Sequence, residues 1–220
     1  DVYYRQPDGT YTRREFFRVI TPLSDGGYRV TFSDGSQWNL APLDGSPRAG
    51  RLTSIVDRNG NTLRFSYDAH GRLTTIHDTL DNVAHTRDVV VRYTPEGWLE
   101  SVTDFTGRTV RYDYYREGET GGTPGDLRSV TSPAVTGSPA GNNFPEGKTV
   151  IYTYSAGSSH PELDHNLLTI TDGAGQTWLW NEYGRGPDTA GALSFDRLVR
   201  QFWGDTARPI DITYELRSPD

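Results

Sequence analysis

The chain has 220 residues and a net charge of −7, and its basic residues are scattered among acidic ones. Nucleic-acid binding, which needs a concentrated positive surface, is therefore not expected, and no apolar run approaches the roughly 18–20 residues of a membrane-spanning helix. Cysteine is absent, which excludes disulfides and cysteine-ligated metals. Methionine is absent as well, so we expect a piece of a longer chain.

The N-terminal part of the chain predicts hairpins. Residues 28–32 and 37–40 are short alternating runs, and the Asp34-Gly35 pair between them favours a tight turn. We predict that residues 1–50 form lead-in or capping hairpins of a longer β array.

After residue 50 two motifs alternate. The first, Leu-x-x-Ile/Val-x-Asp, begins at Leu52, Leu73, Leu99 and Leu167, with a weaker copy at Leu127. The second is an alternating strand that ends in an aromatic residue followed four positions later by glycine, and it ends at Tyr67, Tyr93, Tyr114 and Trp180. A period of two with one polar face is typical of an antiparallel sheet. The residues predicted to pack together are Leu52, Ile55, Phe65, Tyr67, Leu73, Ile76, Tyr93, Val102 and Tyr112.

The connections between strands share the pattern Asp-x-x-Gly. Aspartate can accept hydrogen bonds from backbone N–H groups of its own turn, and glycine can adopt a positive φ. Together they predict hairpins with a type I turn and a bulge. The predicted turn residues are Asp57, Gly60, Gly71, Asp104, Gly107, Asp172 and Gly175.

Segments rich in Gly, Pro, Ser and Asn predict loop insertions near residues 117–147 and 155–166. No linker divides the chain. We therefore predict one all-β domain over residues 1–220, built from antiparallel β-hairpin repeats in a curved or spiral sheet with almost no helix.

The motifs resemble a known family. Residues 67–78 read Tyr-Asp-x-x-Gly-Arg-Leu-x-x-Ile-x-Asp, which resembles the defining unit of RHS/YD-repeat proteins. The likeness is strong over residues 50–113 and degraded from residue 127 onward. Members of this family are large bacterial surface or secreted proteins, with teneurins as relatives, and their repeats form a spiral shell that encloses a toxin domain in some members.

The resemblance implies a structural role. We expect a non-catalytic wall segment of a secreted or bacterial cell-surface protein, with no cofactor. Its partners would be neighbouring repeats of the same chain, an enclosed toxin domain or surface glycans. Neither the family's self-cleavage motif nor a toxin domain is recognisable in the sequence.

An extracellular carbohydrate-binding module is the alternative function. Aromatic side chains at strand ends can stack on sugar rings, although such residues more often cover a sheet edge. The candidates for stacking on a glycan are Trp98, Tyr115, Tyr183 and Trp203.

Two further kinds of chemistry have weaker support. The cluster His160, Glu162, Asp164 and His165 contains metal-ligand residue types, but its spacing matches no HExxH-like frame and it falls in a predicted loop. Glu96, Glu100 and Asp104 could suggest the paired carboxyls of a glycosidase, yet acids are frequent in this chain. The sequence therefore predicts neither an enzyme nor a metal protein.

Overall fold

The structure, a computed structural model, describes residues 2–13, 17–80, 87–184 and 193–216, and only the backbone of residues 205–207. Within them lie seventeen strands and one turn of 3-10 helix at Pro161–Leu163. None of the described helical residues form a segment with the length and apolarity to cross a membrane. The prediction of an all-β fold built from antiparallel hairpins is confirmed.

The strands alternate with short turns in the first half of the chain and with longer connections in the second. The first nine are β1 Tyr4–Arg5, β2 Tyr11–Arg13, β3 Arg18–Pro22, β4 Tyr28–Thr31, β5 Gln37–Leu40, β6 Leu52–Val56, β7 Thr62–Tyr67, β8 Leu73–Asp78 and β9 Asp88–Tyr93. The others are β10 Leu99–Thr103, β11 Thr109–Tyr114, β12 Leu127–Thr131, β13 Thr149–Tyr154, β14 Leu167–Thr171, β15 Thr177–Tyr183, β16 Leu198–Trp203 and β17 Asp205–Asp211.

The chain divides into two compact units, residues 1–92 with 102–108 and residues 93–101 with 109–220. In the first unit each strand from β1 to β9 pairs antiparallel with the next along the chain. In the second unit β11 to β17 follow the same rule. The single domain predicted over residues 1–220 stays a prediction.

A one-residue bulge recurs where a Leu motif begins. Ser66 pairs with Thr75 but Tyr67 pairs with Leu73, so Thr74 has no partner in the register. A β-bulge of this kind bends a strand and increases its twist. The same shift accompanies the pairs Leu40–Leu52, Tyr114–Leu127, Tyr154–Leu167 and Tyr183–Leu198.

At three of these places a tyrosine hydroxyl also binds the preceding strand. Tyr67 in β7 donates a hydrogen bond to the carbonyl of Leu52 at the start of β6, at 2.6 Å, while its backbone pairs with Leu73 in β8. One residue, through its side chain and its backbone, thereby joins three successive strands. We call this hydrogen bond the tyrosine latch, and it recurs from Tyr114 to Leu99 at 2.9 Å, Tyr183 to Leu167 at 3.1 Å and Tyr214 to Leu198 at 2.8 Å.

Few apolar side chains are fully buried among the described residues. Among the described residues the only buried hydrophobic side chains are Tyr115, Leu163 and Leu179, and the residues predicted to pack together are half-buried. The apolar face of the strands is therefore only partly covered by this chain.

Removal of a latch hydroxyl is expected to destabilise the chain. Tyr67→Phe, Tyr114→Phe and Tyr214→Phe should each lower the free energy of unfolding by roughly 0.5–1.5 kcal/mol, because each leaves a strand carbonyl without its donor. Denaturant titration measures the change. The matched control is Tyr154→Phe, since this hydroxyl has no hydrogen-bond partner among the described residues. An equal loss in the control would contradict the role of the latch.

Candidate functional site

The feature that recurs most regularly is a turn stabilised by its own aspartate. Asp57 Oδ1 accepts hydrogen bonds from the backbone N–H groups of Asn59 at 2.7 Å and Asn61 at 2.9 Å. The Gly60 N–H donates to the Asp57 carbonyl at 3.1 Å, and Gly60 has a φ of 86°. The turn therefore satisfies its own backbone without help from the rest of the chain.

The same arrangement occurs at other predicted turn positions. In each turn, the aspartate Oδ1 accepts hydrogen bonds from the backbone N–H groups two and four residues later. The glycine three residues after the aspartate has a positive φ. The pairs are Asp68 with Gly71, Asp104 with Gly107, and Asp172 with Gly175.

Sequence reasoning missed the residue that follows the glycine. The side chains of Asn61, Arg72 and Arg108 donate to the second carboxylate oxygen of their aspartate, at 2.7, 2.8 and 2.7 Å. The sequence contains a signal for this contact, because a residue with an amide or guanidinium donor lies four positions after the aspartate in each case.

These hydrogen bonds favour the ionised aspartate. The pKa of Asp57 is lowered, chiefly by the Asn61 side-chain amide, and the pKa of Asp68 is lowered chiefly by the Arg72 backbone N–H. The Thr106 hydroxyl is the main reason why the pKa of Asp104 lies well below its usual range. Hydrogen bonds to a carboxylate stabilise its charged form.

Gly71 differs from the other turn glycines in its surroundings. A Cβ on Gly71 would lie 2.0 Å from the carbonyl oxygen of Pro47, whereas nothing lies within 4 Å of a Cβ on Gly60, Gly107 or Gly175. Gly71 is therefore required for close approach of two backbone segments as well as for its φ of 75°.

The four aromatic residues proposed for glycan stacking lie in different environments. Tyr115 is 4% exposed and donates to the Tyr152 carbonyl at 2.9 Å, and the Tyr183 hydroxyl belongs to a latch. Trp203 is 53% exposed and its ring packs 5.1 Å from that of Trp178.

A pocket of about 460 Å³ brings two of these aromatic residues together. Trp98 and Tyr115 line it with the acids Glu96 and Glu100, and the Trp98 ring packs 5.1 Å from that of Tyr114. The Thr94 hydroxyl lowers the pKa of Glu96, which is opposite to the raised value that a general acid needs. Asp104, the third acid considered above, is part of a turn.

The residues proposed as metal ligands have separate partners. His165 Nδ1 lies 2.7 Å from Asp126 Oδ1, and Asp164 Oδ1 accepts the Ser158 N–H at 2.9 Å. The His160 ring packs edge-on against Phe195, and Glu162 is exposed. In the described part of the chain, no three His, Cys, Asp or Glu side chains are grouped so that they could hold a metal ion.

Comparison with known proteins identifies the repeat. The family model RHS Repeat matches residues 48–83, so the chain carries an RHS repeat and the predicted resemblance is confirmed. This segment contains the Asp57 and Asp68 turns and the latch of Tyr67 to Leu52. No curated protein matches the chain.

Several solved structures are similar to the chain. A crystal structure of TcdB2-TccC3 without its hypervariable C-terminal region aligns with 84% of this chain at 16% identity and a TM-score of 0.46. The structure of TcdB2-TccC3-Cdc42 aligns with 91% of the chain at 14% identity and a TM-score of 0.45. The chain spans 10% of the length of each of these two proteins.

The two kinds of turn glycine predict different substitution costs. Gly60→Ala should destabilise the chain by about 1 kcal/mol, because alanine is strained at positive φ. Gly71→Ala should cost clearly more, because its methyl group also meets the Pro47 carbonyl. Denaturant titration of both variants measures the difference, and equal costs would show that the Pro47 approach is unimportant.

The lowered pKa values of Asp57, Asp68 and Asp104 predict acid sensitivity. A carboxyl whose pKa is lowered by folding stabilises the chain fully above its unfolded pKa of about 3.9, and this contribution is lost as the pH falls below that value. The Tm should therefore drop below about pH 4. Asp104→Asn should lower the Tm at pH 7 and make the acid drop shallower.

Thermal melts of Asp104→Asn from neutral to acidic pH give the measurement. Glu162→Gln, at an exposed carboxyl outside these turns, serves as the matched control and should behave like the unmodified chain. A parallel downward shift of the Asp104→Asn curve at every pH would contradict the electrostatic contribution.

Proposed function

We propose that this chain is a structural, non-catalytic wall segment of a large secreted or cell-surface RHS-repeat protein. The observation that carries the proposal is the regular unit of bulge, latch and aspartate turn, which recurs with changes of loop length. Because each strand pairs with the next along the chain, further hairpins can extend the sheet without altering what is already formed.

The partly covered apolar face supports a wall. In the first unit Tyr11, Ile20, Tyr28, Val30 and Leu40 line an apolar hollow of about 440 Å³. Apolar surface of this kind is favourable only when something removes it from water. We propose that neighbouring repeats and an enclosed polypeptide, such as a toxin domain, cover this face in the full-length protein, so that residues 1–220 form a continuous part of one wall.

The absence of convergent chemistry in the predicted sites also favours a scaffold. The aspartates with lowered pKa values are used by turns, and the candidate metal ligands point to different partners. We propose that the chain works without a cofactor and outside the cell.

Binding of an apolar dye tests the proposal. The 220-residue chain should bind ANS, and the full-length protein should bind much less per repeat because the same face is covered there. Ile20→Asn should reduce binding to the chain, whereas Val19→Asn, one position along β3 and on the other face, should not. Circular dichroism confirms that each variant is folded. Equal dye binding by the two variants would refute the proposal that this apolar face is covered in the full-length protein. Equal binding per repeat by the chain and the full-length protein would refute it as well.

A further inference from the structure

Tyr154 departs from the pattern of the other latch tyrosines. It occupies the same place in the register, since it pairs with Leu167 across the recurring bulge. Its hydroxyl nevertheless has no hydrogen-bond partner among the described residues. Among the described residues, Thr123 Oγ1 is the only side-chain polar atom that is both buried and without a hydrogen-bond partner. The Tyr154 hydroxyl oxygen, which also has no partner, is therefore accessible to solvent. The hydroxyl of Tyr154 is therefore available to a ligand.

Two loop insertions lie beside Tyr154. The first, residues 116–126, places the Gly121 carbonyl where it accepts the Tyr154 N–H at 2.7 Å, and it covers Tyr115, whose ring lies edge-on to Tyr154 at 6.5 Å. The second, residues 155–166, is tied to the first by the contact between His165 and Asp126. The repeat is thus interrupted at a point where two loops are held together by polar contacts.

The two loops and the strands beside them enclose a pocket of about 470 Å³. Its walls include Gly121, Tyr154, Ser158, Leu163, Asp164 and Leu168. The volume lies within the range of roughly 300–1,000 Å³ found for small-molecule sites. This pocket contains none of the four aromatic residues that the sequence suggested for glycan stacking.

The polar groups of the pocket favour a neutral ligand with hydroxyl groups. Burial raises the pKa of Tyr154 to about 12, so its phenol stays a hydrogen-bond donor at physiological pH. Asp164 uses Oδ1 for the Ser158 N–H, and its Oδ2 accepts no hydrogen bond from the described residues. Among the described residues, no lysine or arginine lines the pocket, so they offer an anion no counter-charge.

The apolar groups of the pocket restrict the ligand further. The Tyr154 ring, Leu163 and Leu168 offer surface for C–H groups, while the phenol donates and the free carboxylate oxygen accepts. A molecule that presents hydroxyls on its rim and C–H groups on its face matches this combination. We propose that this pocket binds a neutral monosaccharide or a terminal sugar of a glycan. This inference is independent of the wall function, because it depends only on the two loops, β13 and β14.

Saturation-transfer NMR with methyl glycosides of glucose, galactose, mannose and N-acetylglucosamine tests the site. At least one glycoside should bind the 220-residue chain. Tyr154→Phe and Asp164→Asn should each weaken its affinity by roughly fivefold or more, because each removes a hydrogen bond to the sugar. Tyr154→Phe keeps the ring, so the loss reports the hydroxyl alone.

Tyr114→Phe is the matched control, since Tyr114 belongs to a latch and does not line this pocket. It should lower stability and leave the affinity for the glycoside unchanged. Failure of every glycoside to bind would overturn the proposal, and so would equal effects of Tyr154→Phe and Tyr114→Phe on binding. Either result would leave the dye experiment on the apolar face unaffected.

Discussion

The hydrogen bond from a strand-end tyrosine to the carbonyl of a leucine that opens the preceding strand is the interaction on which the repeat depends. It forms where a one-residue bulge shifts the register, so a side chain compensates for a local break in the backbone ladder. The phenol of Tyr67 reaches Leu52 while its backbone pairs with Leu73. Three strands are thereby fixed together by one residue. The recurrence at Tyr114, Tyr183 and Tyr214 makes this a property of the repeat.

The aspartate turns stabilise the ends of the hairpins. Each closes its hydrogen bonds within about five residues, as Asp57 does with Asn59 and Asn61, so the turn does not depend on burial. A chain with few buried hydrophobic side chains needs such local order, because hydrophobic contacts alone cannot fix its register. Latches and turns together hold the strands in register while leaving much of the apolar face accessible. Such an arrangement suits the proposed wall segment, whose apolar face would be covered by other polypeptide.

Interruptions of a repeat are where a scaffold can acquire binding chemistry. A latch tyrosine donates its hydroxyl hydrogen to a backbone carbonyl. The Tyr154 hydroxyl has no such partner among the described residues, and loop 116–126 instead accepts the Tyr154 backbone N–H through Gly121. The same loop contributes Gly121 to the pocket that Tyr154 lines. Stability at this point is supplied by Tyr115, which is buried and bonded to the Tyr152 carbonyl. Of these two tyrosines in contact, Tyr115 therefore has a structural role, whereas Tyr154 is the one proposed to bind a ligand.

The sequence by itself determined the strands, the alternation of their faces and the turns. These features are local, since Asp57 and Gly60 act on backbone within a few residues. Only the tertiary structure decided which aromatic residues are latched, buried or open. Tyr115 follows the end of β11 and Tyr154 is the last residue of β13, yet Tyr115 is buried beneath Gly121 and Gly122 whereas Tyr154 lines a pocket. The latch partners lie 15 or 16 residues apart, and the Tyr115 bond spans 37. Such contacts depend on the path of inserted loops, which a local pattern of residues does not specify.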